Sequence, residues 1–423
     1  MILMQQNLIN EDMYNVFTKM QFLVGDADRL AAVINEPGLI PFSDSIIDFF
    51  DEISKKIRKS GDVRLYPDVA TLGFFMRRAS LKGIAERFMN DADTNLHVGR
   101  GITFHIAPSN VPVNYAYSLV AGLVCGNVCI VRVPSKDFAQ VKIINDAIKA
   151  VTDKPEFEMF KNRIFLVKYG RDKQINDALS SIADVRIVWG GDRTIRELRE
   201  SELGPRATEI TFADRYSLSI IDSDMYAKSD EKEKDSLADG FYNDTFLTDQ
   251  NACTSPRVVV WTGSNKEEAK KQFWNKLHAL VVKKYSFQPI MAVNKLTSSY
   301  ILSAKCTEDN DRYNPKIVKT DDNYIIRVEI DDPNAELMDY KDNSGYFFEY
   351  DCDNLLEIRS LVDNTHCQTI GYLGRREEIQ KLLLSGIRGV DRVVPIGKTM
   401  DFDFIWDGYN LFERLTRTVT INV

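Results

Sequence analysis

The chain has 423 residues, enough for two or three domains, and is 44% hydrophobic and 27% charged, which supplies a sizeable core and excludes disorder over most of its length. A net charge of −8 argues against a binder of nucleic acid or of anionic membranes. No run of about 18 apolar residues offers a membrane span, and the apolar stretch in the opening MILMQQNLINEDMYNVF is too short for a signal peptide, so a cytoplasmic protein is expected.

Residues 1–95 read mostly as helix, with amphipathic segments around 11–34, 43–60 and 68–90. GITFHIAP, at 101–108, is a strand. Asn110 then stands as a helix N-cap, with Pro112 near the first turn, and the helix runs to about Cys125, stopped by Gly126-Asn127. NVCIVRVP (127–134) is an apolar strand of the kind buried on both faces. Ser135 is expected to cap a helix at 137–150. RIFLVKYG (163–170) is a third strand, followed by a helix at 172–182. VRIVWGG (185–191) is a fourth, and Asp192 starts another helix. Such β-α alternation with short connections implies a parallel, doubly wound sheet. Its ligand belongs beyond the C-terminal strand ends, here Pro108-Ser109-Asn110, Arg132-Val133-Pro134-Ser135, Gly170 and Trp189-Gly190-Gly191.

The charged run KSDEKEKDSLAD reads as an exposed helix or loop and suggests a domain junction. It separates residues 1–225, a helical region plus a dinucleotide-binding domain, from a second α/β domain at 226–395. In that second domain RVVVWTG (257–263) is a strand, 265–283 a helix, 306–323 loop-rich and YIIRVEI (324–330) a strand. The segment 396–423 closes on RTVTINV, which alternates like a strand that returns to the first domain or pairs between subunits.

No GxGxxG follows any strand, so the ordinary dinucleotide fingerprint is missing. Gly190-Gly191-Asp192 still opens a helix, where free N–H groups favour phosphate; a tight turn explains the same residues. Arg132, Pro134, Ser135 and Lys136 place cations and a hydroxyl at a strand end, which suits the 2′-phosphate of NADP, whereas a carboxylate would suit the plain ribose of NAD. Six cysteines include no CxxC pair, and four histidines make a multi-His metal site improbable. Cys253 lies in TDQNACTSPRVVVW, a polar loop ahead of a strand. A lone thiol in such a loop is more often inert than catalytic.

Five segments in order change that weighting: HIAPSNVPVN, AGLVCGNVCIVRVPS, VRIVWGGDRT, DQNACTSPR and WDGYNLFERLTRTV. Together they resemble the LuxC-type fatty acyl-CoA reductases of the aldehyde dehydrogenase superfamily, over roughly residues 98–423. The resemblance implies two doubly wound α/β domains plus a small oligomerisation element. It implies Cys253 as an acyl-accepting nucleophile, and Asn110 with the Cys253 backbone N–H as donors to the oxyanion. Ser109 falls in the superfamily's Asn-containing segment beside the cofactor. Arg132, Pro134, Ser135 and Lys136 resemble its Lys-Pro-Ser cofactor segment, with Arg for Lys and one residue inserted. Trp189-Gly190-Gly191 is similar to its Phe-Thr-Gly turn near the pyrophosphate, with Asp192 opening the helix that follows. The activity implied is reduction of an acyl-CoA or acyl-carrier thioester to an aldehyde with NADPH, in a homo-oligomer that works beside an acyl-protein synthetase. An NAD(P)-dependent aldehyde dehydrogenase and a non-reducing acyl-carrier subunit are the alternatives. One departure stands out: where hydrolysing members carry a catalytic Glu, this chain has Thr211, with Glu209 two residues away as a possible base. His366 is either a proton donor or a hydrogen-bonded bystander.

Overall fold

The computed structural model describes residues 9–89, 95–108, 111–308 and 313–422. The chain divides into two compact units, one of Met1–Ala213 with Phe404–Val423 and one of Asp214–Asp403. These limits differ from 225/226 and 395/396, for a physical reason. The charged run, expected as an exposed helix or loop at a junction, forms a helix inside the second unit, Glu231–Thr245, whose N-terminus is closed by a capping box between Asp230 and Glu233 and whose Lys234 is buried.

In the first unit, β1 (Gln21–Val24), β3 (Ile102–Ile106), β4 (Val128–Arg132), β5 (Ile164–Lys168), β6 (Val185–Trp189) and β7 (Thr208–Phe212) form a sheet, while β2 (Asn95–Gly99) stands apart from it. The sheet order is β1-β5-β4-β3-β6-β7, with β3 to β7 parallel and β1 antiparallel at the edge. Strand β1 falls where only helix was expected. It is four residues long, too short for period-two alternation to stand out against the flanking helical pattern. Strands β3 and β6 are buried along their whole length, as parallel strands covered on both faces must be. Winding runs outward from β3 to β5, then reverses to β6 and β7. The crevice of a doubly wound sheet therefore opens at the C-terminal ends of β3 and β6.

The second unit holds β8 (Tyr216–Asp222), β9 (Pro256–Thr262), β10 (Lys316–Lys319), β11 (Ile326–Glu329), β12 (Tyr346–Asp351), β13 (Cys367–Leu373) and β14 (Arg392–Pro395). Their order is β10-β11-β12-β9-β8-β13-β14, parallel except for β10. Strand β10 lies in the stretch expected to be loop-rich; it is half-exposed and sits at an edge, so neither burial nor neighbours marked it in the sequence. One face packs Leu218, Ile220, Val258, Val260, Phe348 and Ile370; the other packs Ile221, Phe241, Val259, Trp261, Phe273 and Phe347.

The chain then returns to the first unit. A two-stranded ladder of β15 (Ile405–Trp406) and β16 (Tyr409–Asn410) leads to β17 (Thr416–Thr420), which pairs antiparallel with β2 from Thr416↔Gly99 to Thr420↔Asn95. Among the described residues, no helix is long and apolar enough to cross a membrane.

Candidate active site

Cys253 lies in a turn that leads into β9, at the N-terminal edge of the second sheet. It is half-buried, whereas the five other cysteines are buried. Burial pushes the thiols of Cys129, Cys352 and Cys367 up to about 12 and raises that of Cys125 well above the ordinary thiol value. A thiol held that high is neither reachable nor ionised near neutral pH. Cys253 is thus the one cysteine in a position to react.

The loop before it is fixed residue by residue. Asp249 and Gln250 both adopt left-handed backbone, each at φ 53°, a conformation that costs a non-glycine residue roughly 1 kcal/mol or more. Hydrogen bonds hold them there. The fully buried Gln250 amide accepts at Oε1 from the N–H groups of Gly345 (2.7 Å) and Tyr346 (3.1 Å). Its Nε2 donates to the carbonyls of Pro256 (3.1 Å) and Tyr346 (3.2 Å). The hydroxyls of Ser344 (2.7 Å) and Tyr285 donate to Asp249 Oδ1. Asn343 donates to Asn251 Oδ1 at 3.0 Å. Buried Arg257 donates to the Gln250 carbonyl, to the Asp342 carbonyl (2.6 Å) and to Asn343 Oδ1 (2.7 Å). Its pKa is lowered to about 10 by burial, against the opposing pull of Asp342, Asp249 and Cys253. From the helix Pro289–Glu308, Lys295 donates to the carbonyls of Asn323 (2.8 Å), Tyr324 (2.7 Å) and Ser344 (2.6 Å), pinning the segment to which the loop is fastened. None of these 285–346 partners was singled out by sequence, because each contact joins residues far apart in the chain.

In the first unit, Ser109 and Asn110 lie outside the described residues. The helix expected to be capped by Asn110 begins at Asn114 with Val113 at its N-cap, so the cap assigned to Asn110 is corrected. Likewise Ser135 caps nothing: the next helix starts at Ala139 with Phe138 at its N-cap. Pro134 is buried, and Ser135 and Lys136 are exposed. Arg132, at the end of β4, stacks over the Tyr169 ring at 4.6 Å and donates to the carbonyls of Tyr169 and Gly170, both at 3.3 Å. The nearby Asp137 carboxylate is held instead by Lys168 at 2.7 Å. Gly191 is the N-cap of the helix Asp192–Arg199, with no side chain capping it. A Cβ on Gly190 would meet the Thr194 side chain at 3.2 Å, so close packing favours glycine there. The turn is braced by Trp189, which stacks on Phe212 at 3.6 Å and donates to Ser118 Oγ at 3.0 Å.

Glu209 is fully engaged. One oxygen accepts from Arg186 Nε (2.8 Å) and Nη2 (2.6 Å), and the other from Arg199 at 2.8 Å. Arg186 is 3% exposed in its side chain, so this carboxylate neutralises a buried cation and is tied down as a structural counter-ion. Glu209→Gln is expected to lower unfolding stability by about 3 kcal/mol, the cost of stranding a buried charge, and to leave the lifetime of an acyl-enzyme unchanged. Denaturant melts and a timed mass spectrum of the acylated protein check both halves; a longer acyl lifetime in the variant would make Glu209 a base after all. His366 donates from Nδ1 to the Asp214 carbonyl at 2.7 Å, which leaves Nε2 as its basic nitrogen. Among the described residues, no group of three or more His, Cys, Asp or Glu side chains could hold a metal ion.

Residues 86–418 match the family described as acyl-CoA reductase (LuxC). The chain belongs to that family. The LuxC match extends through both units, and relatives carry the same theme in their names. A long-chain acyl-protein thioester reductase of Aliivibrio fischeri is 27% identical over 39% of this chain and 33% of its own length. One from Photorhabdus luminescens is 21% identical over 76% of this chain and 64% of its own length. The matches therefore span from a third to just under two thirds of these LuxC relatives. Solved structures supply the fold. Glyceraldehyde-3-phosphate dehydrogenase GapN from Methanocaldococcus jannaschii, complexed with NADP, superposes with a TM-score of 0.61 at 12% identity, over 97% of this chain and 93% of that one. Aldehyde dehydrogenase 21 from Physcomitrella patens gives 0.61 at 8% identity, over 97% and 89%. This LuxC-family chain thus has the aldehyde dehydrogenase fold.

Proposed function

We propose that this protein reduces an acyl thioester, carried on CoA or on a protein, to an aldehyde, through an acyl group held on Cys253 and with NADPH as the electron source. The observation that carries the reading is the state of Cys253: the half-exposed thiol among six, on a loop locked from behind, in a chain of the LuxC family. The names of the relatives, long-chain acyl-protein thioester reductases, support a thioester donor.

The Cys253 thiolate attacks the thioester carbonyl, and the negative charge that builds on oxygen is met by the Cys253 backbone N–H and, as in the superfamily, by the amide of Asn110. The carbon–sulfur bond to the carrier breaks, and the carrier thiol leaves with a proton. When bound, a nicotinamide would supply hydride, and the acyl-Cys253 thioester would accept it to become a hemithioacetal on Sγ. That adduct collapses, the bond to Sγ breaks, and aldehyde leaves with the Cys253 thiolate restored. Water is a poor competitor, because Thr211 stands where a hydrolytic Glu would be and Glu209 is bound to Arg186 and Arg199.

The residues at the C-terminal edge of the first sheet fit a dinucleotide. Gly190 and Gly191 lead into a helix that begins at Asp192 with no side-chain cap, a helix N-terminus of the kind that suits a pyrophosphate, and family likeness assigns Ser109 to the same cofactor. Arg132 has a ring and two carbonyls as partners but no carboxylate among the described residues, which leaves its charge for a 2′-phosphate, with Ser135 and Lys136 exposed beside it. Arg132→Gln is expected to weaken NADPH binding about 10- to 100-fold, the value of a charge-assisted contact, and to leave NADH binding within about twofold. Fluorescence titration with both nucleotides checks it, and an equal loss for both would remove the 2′-phosphate assignment. Working contact with an acyl-protein synthetase and a homo-oligomeric state belong to the same proposal, the latter supported by the superfamily likeness and by the closing strand β17, which forms a separate two-stranded sheet with β2.

Product analysis tests the whole reading. Aldehyde formed from acyl-CoA with loss of NADPH is expected. Free acid formed from aldehyde would make the protein an oxidiser, and acylation with no NADPH consumption would make it an acyl carrier.

A further inference from the structure

Ser217 has no role in the reaction as described, yet its surroundings single it out. It is the second residue of β8 and is fully buried. On one side β9 pairs Pro256 with Ser217 and Val258 with Leu218, so Arg257 is an extra residue. On the other side β13 pairs Cys367 with Tyr216 and Ile370 with Leu218, so Gln368 and Thr369 together face Ser217 alone. Two bulges in neighbouring strands thus meet at this one residue. Bulges free main-chain groups from the ladder and re-aim them, and they gather beside active sites.

Ser217 Oγ uses what the bulges free. It accepts the Thr369 N–H at 3.2 Å and donates to the carbonyl of Cys253 at 2.8 Å. The Thr369 N–H occupies a lone pair of the hydroxyl, which turns its single proton toward Cys253. Arg257, the bulged residue of β9, holds the Gln250 carbonyl upstream. The peptide plane that follows the nucleophile is therefore held from the sheet by Ser217, and the 250–251 plane farther upstream by Arg257.

We infer that Ser217 is a positioning residue for the acylation step: by holding the Cys253 carbonyl, it sets the backbone orientation in which Sγ attacks while the Cys253 N–H meets the oxyanion. This rests on the assignment of Cys253 as the acylated residue. A hydroxyl that merely filled the core would influence every reaction of the thiol through stability alone. A positioning hydroxyl influences acyl transfer, which needs both Sγ and N–H in place, and leaves untouched alkylation by iodoacetamide, which needs only the thiolate.

The test compares the two reactions in the full-length protein, with peptide mapping to locate each label. Ser217→Ala is expected to acylate from acyl-CoA roughly 10- to 100-fold more slowly, with Cys253 alkylation within about twofold of wild type and with Ser217→Thr restoring acylation to within about threefold. Acylation by Ser217→Ala at the wild-type rate overturns the inference. So does an equal fall in acylation and alkylation, which would report a loosened loop. If the alanine variant does not fold, Ser217→Cys decides: its thiol has similar shape but donates weakly, so acylation should still fall relative to alkylation, and unchanged acylation overturns the inference. Acyl label recovered on a residue other than Cys253 in the wild-type protein removes the underlying assignment instead, a result distinct from all of these.

Discussion

Cys253→Ala should abolish acyl labelling from radioactive acyl-CoA and lower aldehyde formation by at least about 10³-fold, the scale of loss when a covalent nucleophile is removed. No other cysteine stands ready to substitute, because the remaining five are buried and burial raises the thiols of Cys125, Cys129, Cys352 and Cys367 well above the ordinary thiol range. The variant should bind NADPH as wild type does, because the residues assigned to the cofactor belong to the other unit. It should also fold, because the change removes one half-buried atom and leaves the Cys253 carbonyl bound to Ser217. Intact-mass measurement after incubation with acyl-CoA, paired with a nucleotide titration, provides both readouts. Labelling of the variant at the wild-type level would sink the assignment of the nucleophile.

Gln250→Ala should cause the largest structural loss of any single change near the site. Four hydrogen bonds disappear together, and the groups left behind are buried main-chain donors and acceptors at Gly345, Tyr346 and Pro256. Stranded groups of this kind cost about 1–3 kcal/mol each, with partial relaxation, so a loss of about 4 kcal/mol is expected. For a unit of this size that corresponds to a Tm roughly 10 °C lower. The left-handed backbone at Asp249 and Gln250 would then lose the contacts that hold it, and acylation should fall with stability. Gln250→Glu should not rescue, because a carboxylate cannot donate to the Pro256 and Tyr346 carbonyls. A thermal melt within 2 °C of wild type, by either variant, would show that the amide is dispensable (threshold about 0.5 kcal/mol).

The sheet around β3, β4, β5 and β6 was legible in the sequence because its strands are short apolar runs separated by helices, a pattern set by burial on both faces. Edge strands were not, since β1 and β10 are four residues each and only partly buried. Cys253 was singled out only through the order of the motifs around it. Its support was not, because Gln250, Arg257 and Ser217 reach partners 85 to 152 residues away. Capping was misread for a related reason. Asn110 and Ser135 are good cap residues by type, yet the helices start at Asn114 and Ala139, after turns whose length one-dimensional spacing does not reveal.

The return of residues 404–423 to the first unit bears on the order in which the molecule can be made. The Asp214–Asp403 unit is one uninterrupted stretch, so it can complete its own sheet as soon as it has emerged from the ribosome. The first unit cannot. Its β2 must wait for β17, some 320 residues downstream by the Asn95↔Thr420 pairing, with the closure entropy and slow search that such separation brings. The scaffold of Cys253 is therefore positioned to be finished before the scaffold assigned to the cofactor, and during that interval β2 is an unpaired strand that the growing chain must keep from foreign partners.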